Sequence, residues 1–140
     1  MWRSWRFAGL MLAAAVVMGV SQWRLGQPAV GALPFAVLAV LFSPLVFPRS
    51  LTAAQARLRS ARDGRPVVYW RPGCTYCLRL RLRLGRNAGR AYWVDIWRDP
   101  QGAAAVREVT GGDETVPTVV LPDGPVVNPD PAWLRARLSA

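Results

Sequence analysis

VVYWRPGCTYCLRLRLRLGR, residues 67–86, is the stretch on which the reading of the chain turns. It begins with a short apolar run, Val67-Val68-Tyr69-Trp70, rich in β-branched and aromatic residues and preceded by Pro66, which predicts a buried strand. Cys74 and Cys77 follow, and they are the whole cysteine complement of a chain that has no histidine. Structural zinc takes four protein ligands, so one copy of this chain cannot supply a Cys/His set. What remains is a redox dithiol, or half of a site shared between two chains. The next segment, Leu78 to Arg90, is ambiguous. Its literal RLRLRL has period two and argues for a strand, yet it holds no β-branched residue and is built of good helix formers, with Cys77, Leu80 and Leu84 spaced along one helical face.

Downstream the pattern is plainer. Ala91 to Trp97 (AYWVDIW) predicts a strand, and Asp99-Pro100 followed by QGAAAVREV predicts a helix with an acidic cap and a proline at its start. Gly111-Gly112 ends that helix, Thr118 to Leu121 is a third strand, and Pro122-Asp123-Gly124 is a turn. Val126-Val127 makes a short fourth strand, and Asp130 to Leu138 a last helix. The order β-α-β-α-β-β-α gives an α/β domain over residues 66–140, of ordinary single-domain size.

Before this domain the sequence changes character. Phe7 to Trp23 and Pro28 to Pro48 carry no charged residue, and only Arg24 lies between them. A helix needs about 20 apolar residues to cross a hydrocarbon core, with about 17 as the lower limit, so residues 7–23 and 29–47 are expected to be two membrane spans within a unit covering 1–48. Trp2, Trp5 and Trp23 sit where indoles favour the headgroup layer, and Pro34 and Pro44 are tolerable in a membrane helix. Arginines flank the pair on the outside, at Arg3, Arg6, Arg49, Arg57, Arg59, Arg62 and Arg65, which by the positive-inside rule places both termini and the domain in the cytoplasm. Residues 49–65 are then a juxtamembrane helix and linker. The net charge of +10 comes from arginine alone. The bilayer accounts for it without nucleic acid, for which no basic motif with interleaved aromatics is present.

The second half of the chain resembles a known family. Arg71-x-x-Cys74-Thr75-Tyr76-Cys77, Val94-Asp95-Ile96, Gly111-Gly112, Thr115-Val116-Pro117-Thr118, Asp123-Gly124 and Asn128-Pro129 stand in the order and spacing of the glutaredoxin branch of the thioredoxin fold. Within that branch they are most similar to the actinobacterial mycoredoxins, which reduce disulfides formed with mycothiol. The resemblance covers about residues 65–138 and implies that the RLRLRL segment is a helix starting at the cysteines. A cysteine at a helix N-terminus meets free backbone N–H groups and the positive end of the helix dipole, both of which favour thiolate. Cys74 is the residue so placed, with Arg71 as a second positive contribution. Cys77, one turn on and facing inward, is the resolving thiol. The resemblance further implies that Pro117 is a cis-proline, that Val116 offers backbone groups to the incoming thiol, and that Tyr76 lines the thiol groove.

Two departures from the family pattern stand out. Thr75 occupies the place usually held by proline or glycine. Asn128-Pro129-Asp130 replaces the glycine pair and acidic residue of the glutathione-using members, which favours mycothiol and makes Asp130 a candidate contact. The expectation is therefore a membrane-anchored thiol-disulfide oxidoreductase with catalytic Cys74 and Cys77 and substrate-binding Arg71, Tyr76, Val116, Pro117 and Asp130. It would have no tightly bound cofactor or metal and would use mycothiol, less favourably glutathione, as co-substrate. Its partners would be disulfide-containing proteins and the lipid bilayer. The competing expectation is a dimeric membrane adaptor holding a metal or iron–sulfur cluster on CxxC half-sites.

Overall fold

All four side chains of Val67–Trp70 are buried, the mark of a strand covered on both faces. The computed structural model describes residues 6–41 and 49–139. It divides into two units, 1–46 and 47–140.

In the second unit Val67–Trp70 is strand β1, the centre of a four-stranded sheet with β2 (Tyr92–Asp95), β3 (Thr118–Leu121) and β4 (Gly124–Val127) in the order β2-β1-β3-β4. β1 runs parallel to β2, with Val67 opposite Tyr92 and Tyr69 opposite Val94. It runs antiparallel to β3, and β3 antiparallel to β4. A parallel neighbour demands a crossover. Helix α4 (Thr75–Leu84) and a 3-10 turn (Gly85–Arg90) make it. The ambiguous RLRLRL is therefore helical: Cys77, Leu80 and Leu84 point into the core, and Leu82 is left exposed.

Alternation along β1 sorts the helices into layers. A Cβ on Gly102 of α5 (Pro100–Thr110) would come within 2.8 Å of Val94 and 3.7 Å of Tyr69, so α5 lies on the Tyr69–Val94 face. Helix α3 (Ala53–Asp63) packs on β1, β2 and α5. The opposite face holds α4 packed on α6 (Pro131–Ser139). There Trp93, buried, donates its indole N–H to the Ala88 carbonyl at 2.8 Å. The outer edge of β2 is shielded by Ser50 and Leu51: Leu51 N–H donates to Trp93 O at 2.8 Å, and Ser50 Oγ accepts from Asp95 N–H at 2.7 Å.

One carboxylate joins two helix starts. Asp99 Oδ1 accepts from Gln101 and Gly102 N–H of α5 (2.9 and 3.2 Å), while Oδ2 accepts from Ala53 N–H at the start of α3 (2.6 Å). Thr52 and Gln55 complete a capping box on α3. Asp99→Ala removes three charge-assisted bonds and two favourable dipole contacts, so we expect a loss of about 2–3 kcal/mol. In a domain of this size that is a melting temperature lower by roughly 10 °C or more. Calorimetry checks it, and a change of only a degree or two would show that α3 is held by other means.

The first unit is a pair of helices, α1 (Arg6–Arg24) and α2 (Leu33–Leu41), joined through a 3-10 turn at Ala29–Ala32. Small residues make the contact: Ala8, Ala15 and Ala39 are buried, and a Cβ on Gly19 would sit 3.7 Å from Ala32. Gln22 Oε1 accepts from Gly31 N–H at 3.2 Å, while Leu10, Val17, Leu33 and Val40 point outward. The two-span reading is corrected here. Among the described residues no helix is long and apolar enough to cross a membrane. The apolar run of α1 stops at Val20, before Ser21, Gln22 and Arg24, and the described residues give α2 nine positions, Leu33–Leu41; within them each falls short of the ~20 that a span requires. The cytoplasmic placement of the termini and the bilayer as a partner rested on those spans and fall with them. Residues 42–47 of the expected second span, Pro44 among them, and Trp2, Arg3 and Trp5 lie outside the described residues.

Candidate active site

Arg71-Pro72-Gly73 turns the chain from the end of β1 into α4, with Gly73 at φ 77°, a backbone region that suits glycine. The turn delivers Cys74 to the N-cap of α4 at φ −84°, ψ 111°. N-caps are usually occupied by hydroxyl or carboxylate side chains, which accept from the free N–H groups of the first turn. Here a sulfur does so: Cys74 Sγ accepts from Cys77 N–H at 3.2 Å. The neutral Cys74 thiol donates to the Val116 carbonyl at 3.4 Å. Both sulfurs are free thiols, Cys74 half-buried and Cys77 wholly buried.

These surroundings split the two thiols. The Cys77 thiol hydrogen-bonds to Cys74; with the Cys77 N–H, the Arg71 guanidinium and the Tyr76 N–H, it outweighs burial and brings Cys74 down to about 6. At pH 7 roughly nine-tenths of Cys74 is then thiolate, against a few per cent for an ordinary cysteine. Cys77 goes the other way. Burial pushes its thiol far up, helped by the hydrogen bond to Cys74 and by the negative charge that Cys74 carries.

Cys74 opens into a groove of about 680 Å³. Arg71, Gly73, Thr75 and Tyr76 from around the start of α4 and Asp113, Glu114, Thr115 and Val116 from the segment before β3 line it, together with Asn128. The Val116–Pro117 peptide bond is cis, and the Pro117 carbonyl accepts from Asn128 N–H at 2.7 Å. Of the residues singled out in the sequence, Arg71, Cys74, Tyr76 and Val116 meet in this groove. Pro117 is buried directly behind Val116, and Cys77 lies beneath Cys74 in the core.

Asp130 is placed elsewhere. Its Oδ1 caps α6, accepting from Ala132 and Trp133 N–H at 2.9 Å each, and it lines a separate small hollow with Arg79, Arg83 and Arg135. Asp113, Glu114, Thr115 and Asn128 were not among the residues expected in the groove. The signal for the first three was their position just before Val116, and for Asn128 its place in the Asn-Pro motif; it takes φ 49°, which asparagine tolerates better than most residues. A second cavity, of about 580 Å³ between α3, α5 and the sheet, contains neither cysteine.

Among the described residues no group of three or more His, Cys, Asp and Glu side chains could hold a metal ion. The half-site reading would need both sulfurs at a surface, and Cys77 has none exposed. What the geometry provides is one accessible thiolate with a protonated thiol behind it, the arrangement for thiol–disulfide exchange.

Comparison with known proteins agrees. The glutaredoxin family profile matches residues 67–127, a span that contains Cys74, Cys77 and the cis Val116–Pro117 bond. Two proteins of Mycobacterium tuberculosis, from strains CDC 1551 / Oshkosh and ATCC 25618 / H37Rv and each bearing the name "Putative glutaredoxin", are 39% identical to the chain over 73 residues. The matched stretch is 51% of this chain and 87% of each relative. A relative matched over most of its own length at this identity settles the matter: the chain belongs to the glutaredoxin family, and it is a thiol–disulfide oxidoreductase.

Proposed function

We propose that the chain reduces mixed disulfides between proteins and a low-molecular-weight thiol, mycothiol in first place, with Cys74 as attacking sulfur and Cys77 as resolving sulfur. The observation that carries this is the unequal pair: Cys74 at the α4 N-cap, lowered to about 6 and open to the groove, and Cys77 protonated and buried behind it.

The Cys74 thiolate attacks one sulfur of the mixed disulfide in line with the S–S bond. A new S–S bond to Cys74 forms, the old one breaks, and the leaving sulfur departs as a thiolate that takes a proton from water. Two exits follow. The thiolate of a second small thiol attacks the adduct and regenerates Cys74. Alternatively Cys77 loses its proton, attacks Cys74 Sγ and expels the bound thiol, leaving a Cys74–Cys77 disulfide that two further thiols reduce. In either case the electrons come from the small thiol. Val116, with its carbonyl against Cys74, and Asn128, bonded to Pro117, would hold the backbone wall on which the incoming sulfur aligns.

The likeness of the motifs around Cys74, Thr115–Pro117 and Asn128-Pro129 to the mycoredoxins supports mycothiol. Steady-state turnover of the same protein disulfide carrying mycothiol or glutathione tests the choice. A kcat/KM about tenfold or more in favour of mycothiol is expected. Equal values, or a preference for glutathione, would reject mycothiol as the co-substrate.

A further inference from the structure

The outer face of α4 carries a charge pattern that the exchange chemistry does not use. Tyr76, Arg79 and Arg83 follow one another at helical spacings of three and four, so they lie on one stripe. The stripe starts in the groove, where Tyr76 is 60% exposed, and continues down the helix. At 1.5 Å of rise per residue, Arg79 and Arg83 lie roughly 7 and 13 Å along the axis from Cys74.

Arg135 of α6 comes alongside. Arg79, Arg83 and Arg135, with Asp130, Pro131 and Ala132, line a hollow of about 120 Å³. The three arginines are exposed and belong to no ion pair among the described residues, where the pairs are Arg107–Glu114 and Arg137–Asp123. Asp130 is the one acid in the hollow, and its Oδ1 already serves the α6 N-terminus. Like charges at i and i+4 on one helix repel, so Arg79 and Arg83 are set side by side at some cost, and the single carboxylate of Asp130 leaves the three-arginine hollow with an excess of positive charge.

We infer that this stripe is an exosite for an acidic segment next to the disulfide of the protein substrate, an inference that rests on the oxidoreductase reading. Charge complementarity and continuity with the groove select that occupant. An acidic flank that left a disulfide on Cys74 on the Tyr76 side would run along the stripe toward Arg79, Arg83 and Arg135. The hollow is small enough to take side-chain carboxylates. Asp130 within it favours singly charged groups over a phosphate, and the hollow offers no aromatic platform for a base.

The test uses the full chain, a small thiol as reductant and three substrates. One is neutral 2-hydroxyethyl disulfide; the others are two disulfide peptides identical except for Glu or Lys flanks. At low salt kcat/KM should favour the Glu peptide by about tenfold, and ~1 M salt, where the screening length falls to about 3 Å, should remove the preference. Arg83→Glu with Arg135→Glu should abolish or invert the preference and leave 2-hydroxyethyl disulfide turnover unchanged. The milder Arg83→Gln/Arg135→Gln pair should fall between, and it carries the test if charge reversal harms folding. A preference untouched by either pair, or absent in the wild type, overturns the exosite. Fluorescence anisotropy of the Cys74→Ser chain with the Glu peptide reads binding without turnover. Loss of 2-hydroxyethyl disulfide reduction in the wild type, with Glu-peptide binding and its loss on charge reversal intact, would therefore strike the proposed exchange through Cys74 and leave the docking of acidic segments standing. A short single-stranded oligonucleotide binding more tightly than the Glu peptide, in a manner lost on charge reversal, would also overturn it.

Discussion

Cys74→Ser is expected to lower the reduction of every disulfide substrate by at least about 10³-fold. A hydroxyl does not ionise near neutral pH and cannot form the S–S bond on which exchange depends. The only other sulfur that could attack is Cys77, which is fully buried and whose thiol is pushed upward by that burial. A substrate disulfide cannot reach it without opening of α4. The same physics fixes the pH profile of the wild type. Cys74 is lowered, so its reactive form is present above about pH 6 and is lost as pH falls through that value. Below the midpoint the rate should drop about tenfold per pH unit, and above pH 7 it should be nearly flat. Arg71→Ala removes one of the positive contributions and should move the midpoint upward, leaving the plateau rate at high pH little changed. Steady-state disulfide reduction measures the Cys74→Ser loss, and stopped-flow alkylation of Cys74 against pH measures the midpoint and plateau in the wild type and Arg71→Ala. A midpoint near the ordinary cysteine value in the wild type would show that the N-cap geometry does not activate the sulfur.

The parts of the site that sequence revealed are those whose chemistry is local. The CxxC pair with an arginine before it, and a proline in TVP, are short patterns whose meaning does not depend on distant packing. The helical character of RLRLRL was not local. Its alternation matches a strand, and what decides for a helix is that Cys77, Leu80 and Leu84 have a core to face while Leu82 is left to solvent. The far wall of the groove is non-local in another way. Asp113 and Glu114 are far from Cys74 in sequence, and only the antiparallel pairing of β3 with β1 carries the segment before β3 to the start of α4.

Asp130 illustrates the opposite error. Its chemistry suited a ligand contact, but an acid one residue before Pro131 at a helix start is drawn to the free N–H groups of that helix. Composition alone misled for the N-terminal third. Phe7–Trp23 and Ala29–Phe47 are apolar enough on paper, yet length counts only along one unbroken helix. Among the described residues the polar end of α1 shortens the first stretch and the Ala29–Ala32 turn takes the start of the second out of its α-helix.

Alkylation at pH 7 with iodoacetamide in limiting amount should label Cys74 over Cys77 by more than about 10³-fold, read by peptide mass spectrometry. Two effects multiply. Roughly nine-tenths of Cys74 is thiolate, whereas even an ordinary cysteine is only a few per cent ionised at this pH and Cys77 is pushed well above that. Cys77 has in addition no exposed surface, so each reaction waits on a local opening. The buried thiol still matters to its neighbour, because its hydrogen bond is the largest contribution lowering Cys74. Cys77→Ala removes that donor and should raise the Cys74 midpoint, so that thiolate is lost over the interval between about pH 6 and the new value. Cys77→Ser keeps an O–H donor at the same place and should raise it less. Both variants should still turn over small-thiol mixed disulfides, since a second thiol molecule can resolve Cys74, and both should be impaired on protein disulfides whose release needs an internal sulfur. A Cys74 midpoint equally high in Cys77→Ser and Cys77→Ala would show that the side-chain hydrogen bond is not the cause. Faster labelling of Cys77 than of Cys74 in the wild type would reverse the roles assigned to the two sulfurs.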